Sequence, residues 1–102
     1  MTSRSPAVDR SQEVQHDEAG NRFVLTSDGE TAFLSYARKH DGLALLHTEV
    51  PPELEGEGIG SALVRAAVEY ARGQGLRVMP VCPFARVWLE RHPEYKSDVA
   101  PG

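Results

Sequence analysis

The chain has 102 residues, 40% of them hydrophobic and 25% charged, which is enough for one domain with a single modest core. Its formal net charge of −4 argues against nucleic acid as a partner, because no basic stripe is present to neutralise phosphates. The single cysteine excludes an internal disulfide and is typical of a reducing compartment.

The two ends of the chain predict tails around one domain. Residues 1–11 are polar and are expected to form a disordered tail, and residues 97–102 a flexible one, which leaves a domain over 12–96. No apolar run has the character of a signal peptide or the length needed to span a bilayer. The sequence therefore predicts a cytoplasmic protein with no membrane partner.

The first half of the domain predicts an antiparallel meander. Asp28-Gly29 and Asp41-Gly42 are hairpin signals, because both pairs can supply positive φ angles. Apolar and polar residues alternate between them, as in a strand with one buried face. The predicted strands are 13–16, 22–26, 30–38 and 43–50.

The second half of the domain changes to helical spacing. Apolar residues recur every three to four positions over 59–70, and a short buried strand follows over 76–81. A right-handed crossover should make that strand a parallel neighbour of the one before the helix. A last helix begins at Pro83 and ends before Pro93. The predicted fold is α+β or α/β, a meander that continues into a β-α-β unit and a C-terminal helix.

The most informative motif is the glycine-rich turn Gly56-Glu57-Gly58-Ile59-Gly60-Ser61. It stands at the start of the predicted helix, where unpaired backbone N–H groups and the positive end of the helix dipole meet. Together they form an anion site that needs no basic side chain. A phosphate-bearing cofactor is therefore the first ligand to expect.

Several glycine-rich mechanisms compete for this turn. A P-loop needs Lys followed by Ser or Thr after its last glycine, and no such Lys-Ser or Lys-Thr pair is present there. A dinucleotide fingerprint needs glycine where Ser61 stands, and a chain long enough for two mononucleotide halves. A pyrophosphate cradle agrees with the order of residues, and a plain glycine-rich helix start stays open as the structural alternative.

The turn resembles the acetyl-CoA signature of the GNAT acetyltransferase superfamily, Gln/Arg-x-x-Gly-x-Gly/Ala. In the matching stretch, Glu55-Gly56-Glu57-Gly58-Ile59-Gly60, both required glycines are present and Glu55 replaces Gln or Arg. Three further segments extend the resemblance, in order, to the small single-domain, YjdJ-like or minimal N-acetyltransferase-domain group. These segments are His47-Thr48-Glu49-Val50-Pro51, Pro80-Val81-Cys82-Pro83-Phe84 and Arg91-His92-Pro93-Glu94-Tyr95. The resemblance covers about residues 12–96.

The resemblance implies an acetyl-CoA-dependent N-acetyltransferase whose acceptor is an amine of a small molecule, a peptide or a protein lysine. It implies that strands 43–50 and 76–81 splay apart for the pantetheine arm, and that an N–H near Val50 polarises the thioester carbonyl. The cofactor-binding residues it implies are Val50, Glu55, Gly56, Glu57, Gly58, Ile59, Gly60, Ser61, Cys82 and Phe84.

Two other functions stay open. One is a CoA- or acyl-CoA-binding module with little or no turnover, because the group lacks the N-terminal helices that form the amine site in larger relatives. The other is a protein-interaction domain that has lost the ligand. The oligomeric state is left between monomer and weak dimer.

Three side chains are candidates for acid–base chemistry. His47 and Glu49 share one face of their predicted strand because side chains alternate there. In the resembling superfamily, a carboxylate base often stands at the place of Glu49. Cys82 precedes a helix whose dipole favours the thiolate, so it is a candidate proton donor or transient acetyl acceptor. A solvated charge, a backbone-bonded histidine and a small buried hydrophobe are the respective structural alternatives.

Four other residues near these motifs have weaker assignments. Phe84 and Arg86 are candidates to flank the nucleotide, and Arg65 to reach either phosphate or solvent. Tyr95 is expected to pack or close the fold. No spacing of His, Cys or carboxylates predicts a metal site.

Overall fold

Five strands and two helices make up residues 10–101, the part of the chain that the computed structural model describes. In chain order they are β1 (Gln15–Asp17), β2 (Arg22–Ser27), β3 (Glu30–Arg38), β4 (Gly42–Glu49), α1 (Ile59–Gly73), β5 (Arg77–Pro80) and α2 (Pro83–Glu90). Short 3-10 turns cover Ser11–Glu13, Pro52–Leu54 and Pro93–Asp98. No helix of the described part is long and apolar enough to cross a membrane.

The strands lie side by side in the sheet in the order in which they occur in the chain. β1 to β4 are antiparallel neighbours, and β5 pairs with β4 in parallel after the crossover through α1. At the β2–β3 hairpin, Asp28 and Gly29 have φ angles of 53° and 78°, as the Asp-Gly signal predicts. The predicted meander and β-α-β unit are both confirmed.

One face of the sheet packs against α1 to form the core. Ala32, Leu34 and Tyr36 alternate along β3 and are all buried. They meet the apolar stripe of α1, in which the buried residues recur at helical spacing. Phe33 and Ser35 lie on the opposite face and are only half-buried. The core thus fixes which side chains of β3 and β4 face α1.

β4 and β5 pair only as far as Leu45 and Pro80, and beyond this point the two strands separate. The ladder runs from Gly42–Arg77 to Leu45–Pro80, where Pro80 has no N–H to donate. A bulge opposite β3 leaves Leu46 as an extra residue in β4, which bends that strand. Within the described chain, positions 47–49 of β4 therefore pair with β3 alone, and none of positions 46–49 pairs with β5. The predicted splaying of the two strands is confirmed.

The C-terminal boundary differs from the prediction of a flexible tail over 97–102. Asp98 forms an ion pair with Arg72 of α1, with 2.7 Å between the nitrogen and the oxygen. Val99 bridges Val78, and the Ala100 N–H donates to the Val78 carbonyl at 2.8 Å. The outer edge of β5 offers unpaired backbone groups, and these few residues satisfy them. So short a segment has no periodicity that sequence analysis could detect.

The N-terminal boundary also lies earlier than predicted. Residues 1–9 of the expected tail 1–11 are outside the described part of the chain, as is position 102. Arg10 already forms an ion pair with Glu13, and Ser11 begins a 3-10 turn that packs near α1. Val14, which follows, packs against the core.

Truncating Leu45 tests the junction where the strands separate. Leu45 is 0% exposed, whereas its neighbour Leu46 is 43% exposed. We expect Leu45→Ala to lower the free energy of unfolding by about 2–5 kcal/mol through lost burial and a residual cavity. Leu46→Ala is the matched control and should cost under about 1 kcal/mol. Urea unfolding of both variants measures the difference, and equal losses would contradict this description of the junction.

Candidate active site

The glycine-rich turn connects the end of β4 to α1. Gly56 and Gly58 have φ angles of 86° and 74°, a left-handed conformation that other residues rarely adopt. A Cβ atom at either position would meet nothing within 4 Å, so both glycines face open space. Buried Leu54, in the preceding 3-10 turn, anchors the loop to the core. The backbone of the turn is therefore both fixed and accessible.

The N–H groups of this turn form a potential anion-binding site. In the described chain, no backbone hydrogen bond is donated by an amide of residues 56–61; the helical ladder begins with Ala62 N–H to Gly58 C=O at 3.0 Å. Gly58 provides no side-chain cap, and the first turn of α1 has no acidic residue. Exposed amides at the positive end of a helix bind negatively charged groups.

A groove of about 440 Å³ runs from this turn to the end of β4. It is lined by Thr48, Val50, Leu54, Glu55, Gly56, Gly58, Ile59, Gly60, Ser61 and Phe84. Eight of the ten predicted cofactor-binding residues are among them, and Glu57 and Cys82 are not. Their places along the groove are observed; what they bind stays a prediction.

The two exceptions have their own contacts. The Glu57 carboxylate turns to Arg10, with 3.0 Å between Oε1 and Nη1. Cys82 is 4% exposed and belongs to the core cluster beneath the groove. Sequence analysis missed Arg10 because it lies 47 positions from Glu57, in the segment expected to be a tail.

Two residues of α2 hold the floor of the groove in place. The Trp88 indole N–H donates to Ser61 Oγ at 2.7 Å, which leaves the serine's own hydrogen available to another acceptor. The Phe84 ring lies so close to Gly60 that an added Cβ would be 2.7 Å from its Cζ. Glycine at this position therefore permits a contact within the protein. Trp88 was not predicted as a site residue, because its helical spacing indicates only a core residue.

The weaker candidates have structural contacts. Arg65 donates to the Tyr95 hydroxyl at 2.8 Å, and its guanidinium lies over the Trp88 ring at 5.2 Å. Tyr95 is buried and donates to Glu69 at 2.9 Å, in agreement with the expected packing role. Arg86 donates to the Pro80 carbonyl at 3.5 Å.

The three predicted acid–base residues lie on two faces of the sheet. His47 and Glu49 are exposed, with 3.3 Å between Nε2 and Oε1, and they pair with Ser35 and Phe33 on the face away from α1. Thr48, between them, pairs with buried Leu34 and so points to the α1 side. The structure brings His47 and Glu49 together, but Cys82 lies on the opposite face of the sheet, beside Thr48.

The environment of Cys82 favours the thiolate. Cys82 Sγ lies 3.5 Å from Thr48 Oγ1, whose hydroxyl can donate to the thiolate, and the residue is the N-cap of α2. Burial raises the pKa of this thiol, but the Thr48 hydroxyl and the backbone N–H groups of Ala85, Phe84 and Thr48 lower it by more. Its pKa is therefore below the ordinary value of 9.0. Thr48 was missed by sequence analysis, which considered only its two chemically active neighbours.

Known proteins share the fold of this chain. The fold is that of GCN5-like proteins: the NMR solution structure of one from Staphylococcus aureus aligns with a TM-score of 0.68 and 32% identity, over 88% of this chain and 89% of that chain. Residues 22–99 match the sequence model of the GCN5-related N-acetyl-transferase family. The chain belongs to this family, as the resemblance of its motifs predicted, and that membership supports a role in acetyl transfer.

The chain is also similar to protein NATD1, at lower sequence identity. Protein NATD1 of Bos taurus is 29% identical over 93 residues, which cover 86% of this chain and 82% of the relative. Protein NATD1 of Gallus gallus is 27% identical over 94 residues, with 87% and 86% covered. The similarity thus extends over most of both chains.

Replacing Thr48 tests what lowers the pKa of Cys82. Thr48→Val removes the hydroxyl that stabilises the thiolate, so we expect the pKa of Cys82 to rise. The chain has one cysteine, so a pH titration of thiolate absorbance, with Cys82→Ser as the blank, reports this thiol alone. Thr31→Val, at an exposed threonine of β3, is the control.

The same shift predicts a pH dependence of stability. Because the folded-state pKa is lowered, ionised Cys82 stabilises the fold at pH above the unfolded thiol's pKa, and this contribution is lost as the pH falls through the folded-state pKa. Thr48→Val should reduce this gain at alkaline pH. An unchanged pKa in the variant would contradict the role given to Thr48.

Proposed function

We propose that the chain transfers an acetyl group from acetyl-CoA to an amine. The observation that carries the proposal is the row of amides over 56–61, none of which donates to a backbone carbonyl of residues 10–101, at one end of a groove that reaches the gap between β4 and β5. An acyl-CoA has a diphosphate and a long arm with polar amides, and the site has matching parts for both. When bound, acetyl-CoA supplies an acetyl group already activated as a thioester.

The residues present fit such a ligand. The amides of the turn and the helix dipole suit a diphosphate, and the Ser61 hydroxyl has a hydrogen to donate. Positions 46–49 of β4 have no β5 partner in the described chain, so their edge can pair with amides of the arm. Val50 follows at the wide end of the gap, where its N–H is the candidate to polarise a thioester carbonyl.

Proton transfer is the part of the proposal that depends on side chains. Glu49 is the candidate base for the attacking amine, with His47 Nε2 at 3.3 Å as a partner that can donate to it. Cys82 or a water is the candidate to return a proton to the departing thiolate. The lowered pKa of Cys82 brings that group closer to neutral pH.

One observation favours a second function, a CoA- or acyl-CoA-binding module with little turnover. Cys82 is buried on the α1 side of β4, and Glu49 and His47 lie on the other side. Acid and base are therefore not assembled around one point by the described residues. Both functions require the ligand to bind, so measurements of binding and of turnover distinguish them.

Acetyl-CoA binding is tested by thermal unfolding. A ligand at about 100 times its Kd stabilises the folded state by about 2.7 kcal/mol, which raises the Tm of a domain of this size by roughly 10–20 °C. Gly58→Glu should abolish the rise, because it places a charged side chain at the turn. Gly75→Glu is the matched control: Gly75 has a φ of 72° against 74° at Gly58, with open space at both, but it lies beyond the other end of α1.

A rise in Tm for wild type and Gly75→Glu, absent in Gly58→Glu, supports the site. If acetyl-CoA at millimolar concentration leaves the wild-type Tm unchanged, both the transferase and the binding module are excluded.

Turnover is tested by the release of free CoA in the presence of a panel of amines. Glu49→Gln should lower the rate by about 10²–10⁴-fold if Glu49 is the general base, with little change in acetyl-CoA binding. Glu94→Gln, at an exposed residue in the 3-10 turn after α2, is the control and should keep the wild-type rate. Cys82→Ala tests the acid in the same assay. Full rates in both site variants would show that the proton-transfer groups lie elsewhere.

A further inference from the structure

The glycine-rich turn, which is the proposed phosphate site, lies in an acidic stretch of the chain. Glu53, Glu55 and Glu57 occur within five positions, and no lysine or arginine lies between Glu53 and Ser61. A carboxylate there repels a diphosphate held by the neighbouring amides, because like charges a few ångströms apart in water still interact appreciably. Glu57 is the closest in sequence to the amides, since it stands between the two glycines of positive φ. A diphosphate would therefore bind more readily if a positively charged group offset the carboxylate of Glu57.

A guanidinium from the other end of the chain contacts this carboxylate. Arg10 Nη1 lies 3.0 Å from Glu57 Oε1, and Arg10 also binds Glu13 in a bidentate manner, at 2.7 Å and 2.9 Å. The Arg10 side chain is 23% exposed and contacts both carboxylates. Glu13 fixes the guanidinium, and the guanidinium in turn holds Glu57. Glu57 is not among the residues that line the groove.

The N-terminal segment is attached firmly enough to hold this cation. The 3-10 turn Ser11–Glu13 packs near α1, and Val14 packs against the core. Arg10 is thus fixed from the segment that follows it, as well as by its two ion pairs.

We infer that Arg10 is a positioning residue for the phosphate site, which neutralises Glu57 and holds its carboxylate away from a bound diphosphate. This inference rests on the proposed function, because it needs CoA to bind at the turn. It assigns a binding role to a residue in the N-terminal segment, outside the acetyl-CoA signature and outside residues 22–99 of the family match. It also gives Glu57 a defined place in the site, as the charge that Arg10 controls.

The test measures the Kd of CoA by calorimetry for Arg10→Gln, Glu57→Gln and the double variant. Arg10→Gln should weaken binding by about three- to tenfold at low ionic strength, and added salt should reduce the loss. Glu57→Gln should bind at least as tightly as wild type. The double variant should bind CoA as Glu57→Gln does, because the loss of Arg10 no longer leaves an uncompensated carboxylate at position 57. Arg22→Gln, which breaks the exposed Arg22–Asp17 pair, is the control of equal charge change.

Several results would overturn the inference. It fails if Arg10→Gln binds CoA with wild-type affinity, or if Arg22→Gln loses as much affinity as Arg10→Gln. It also fails if added salt does not reduce the loss of affinity, or if the double variant does not recover the affinity of Glu57→Gln. If Arg10→Gln does not fold, Glu57→Gln decides alone: weaker CoA binding in that variant would show that the ion pair shapes the turn and that Arg10 does not offset a repulsion. If wild type binds no CoA, the proposed function fails first and this inference falls with it. Wild-type binding with an unaffected Arg10→Gln rejects the inference alone.

Discussion

The structure depends on the point at which β4 and β5 stop pairing. Pro80 has no N–H, and the bulge at Leu46 bends β4 at the same level, so the ladder cannot continue beyond Leu45. The Cys82 N–H closes the end of the ladder with a bond to the Leu45 carbonyl at 2.8 Å. The gap above that bond, the groove and the start of α2 all follow from this one interruption. Pairing extended by two residues would close the groove at its narrow end.

Much of the fold could be predicted because its signals are local. The Asp-Gly pair fixes one hairpin, alternation fixes the faces of β3, and helical spacing fixes α1. The ends of the ordered domain could not be predicted in the same way. Arg10 and Val99 are held by contacts with residues far away in the sequence, and neither lies in a periodic segment.

The candidate site also has a part that local sequence signals predict and a part that they do not. Its backbone part is encoded in consecutive residues, and the glycines of the turn lie along a groove, where their binding of a phosphate stays a prediction. Its side-chain part depends on which way each residue points relative to a neighbouring strand. The alternation of β4 correctly paired His47 with Glu49, but the placement of Cys82 on the Thr48 side required the fold. Trp88 and Arg10 support the turn from elsewhere in the chain, and such supports leave no local motif.

The short bridge between Val99 and Val78 has a consequence for how copies of the chain meet. An open sheet exposes backbone donors and acceptors at its outermost strands, which can template pairing with another molecule. Here the last residues of the described chain cover the Val78 carbonyl on the outer side of β5. The opposite margin, β1, is three residues long and carries His16 and Asp17. In the described chain, the border at β5 is thus partly covered and the border at β1 is short, and both features limit intermolecular strand addition.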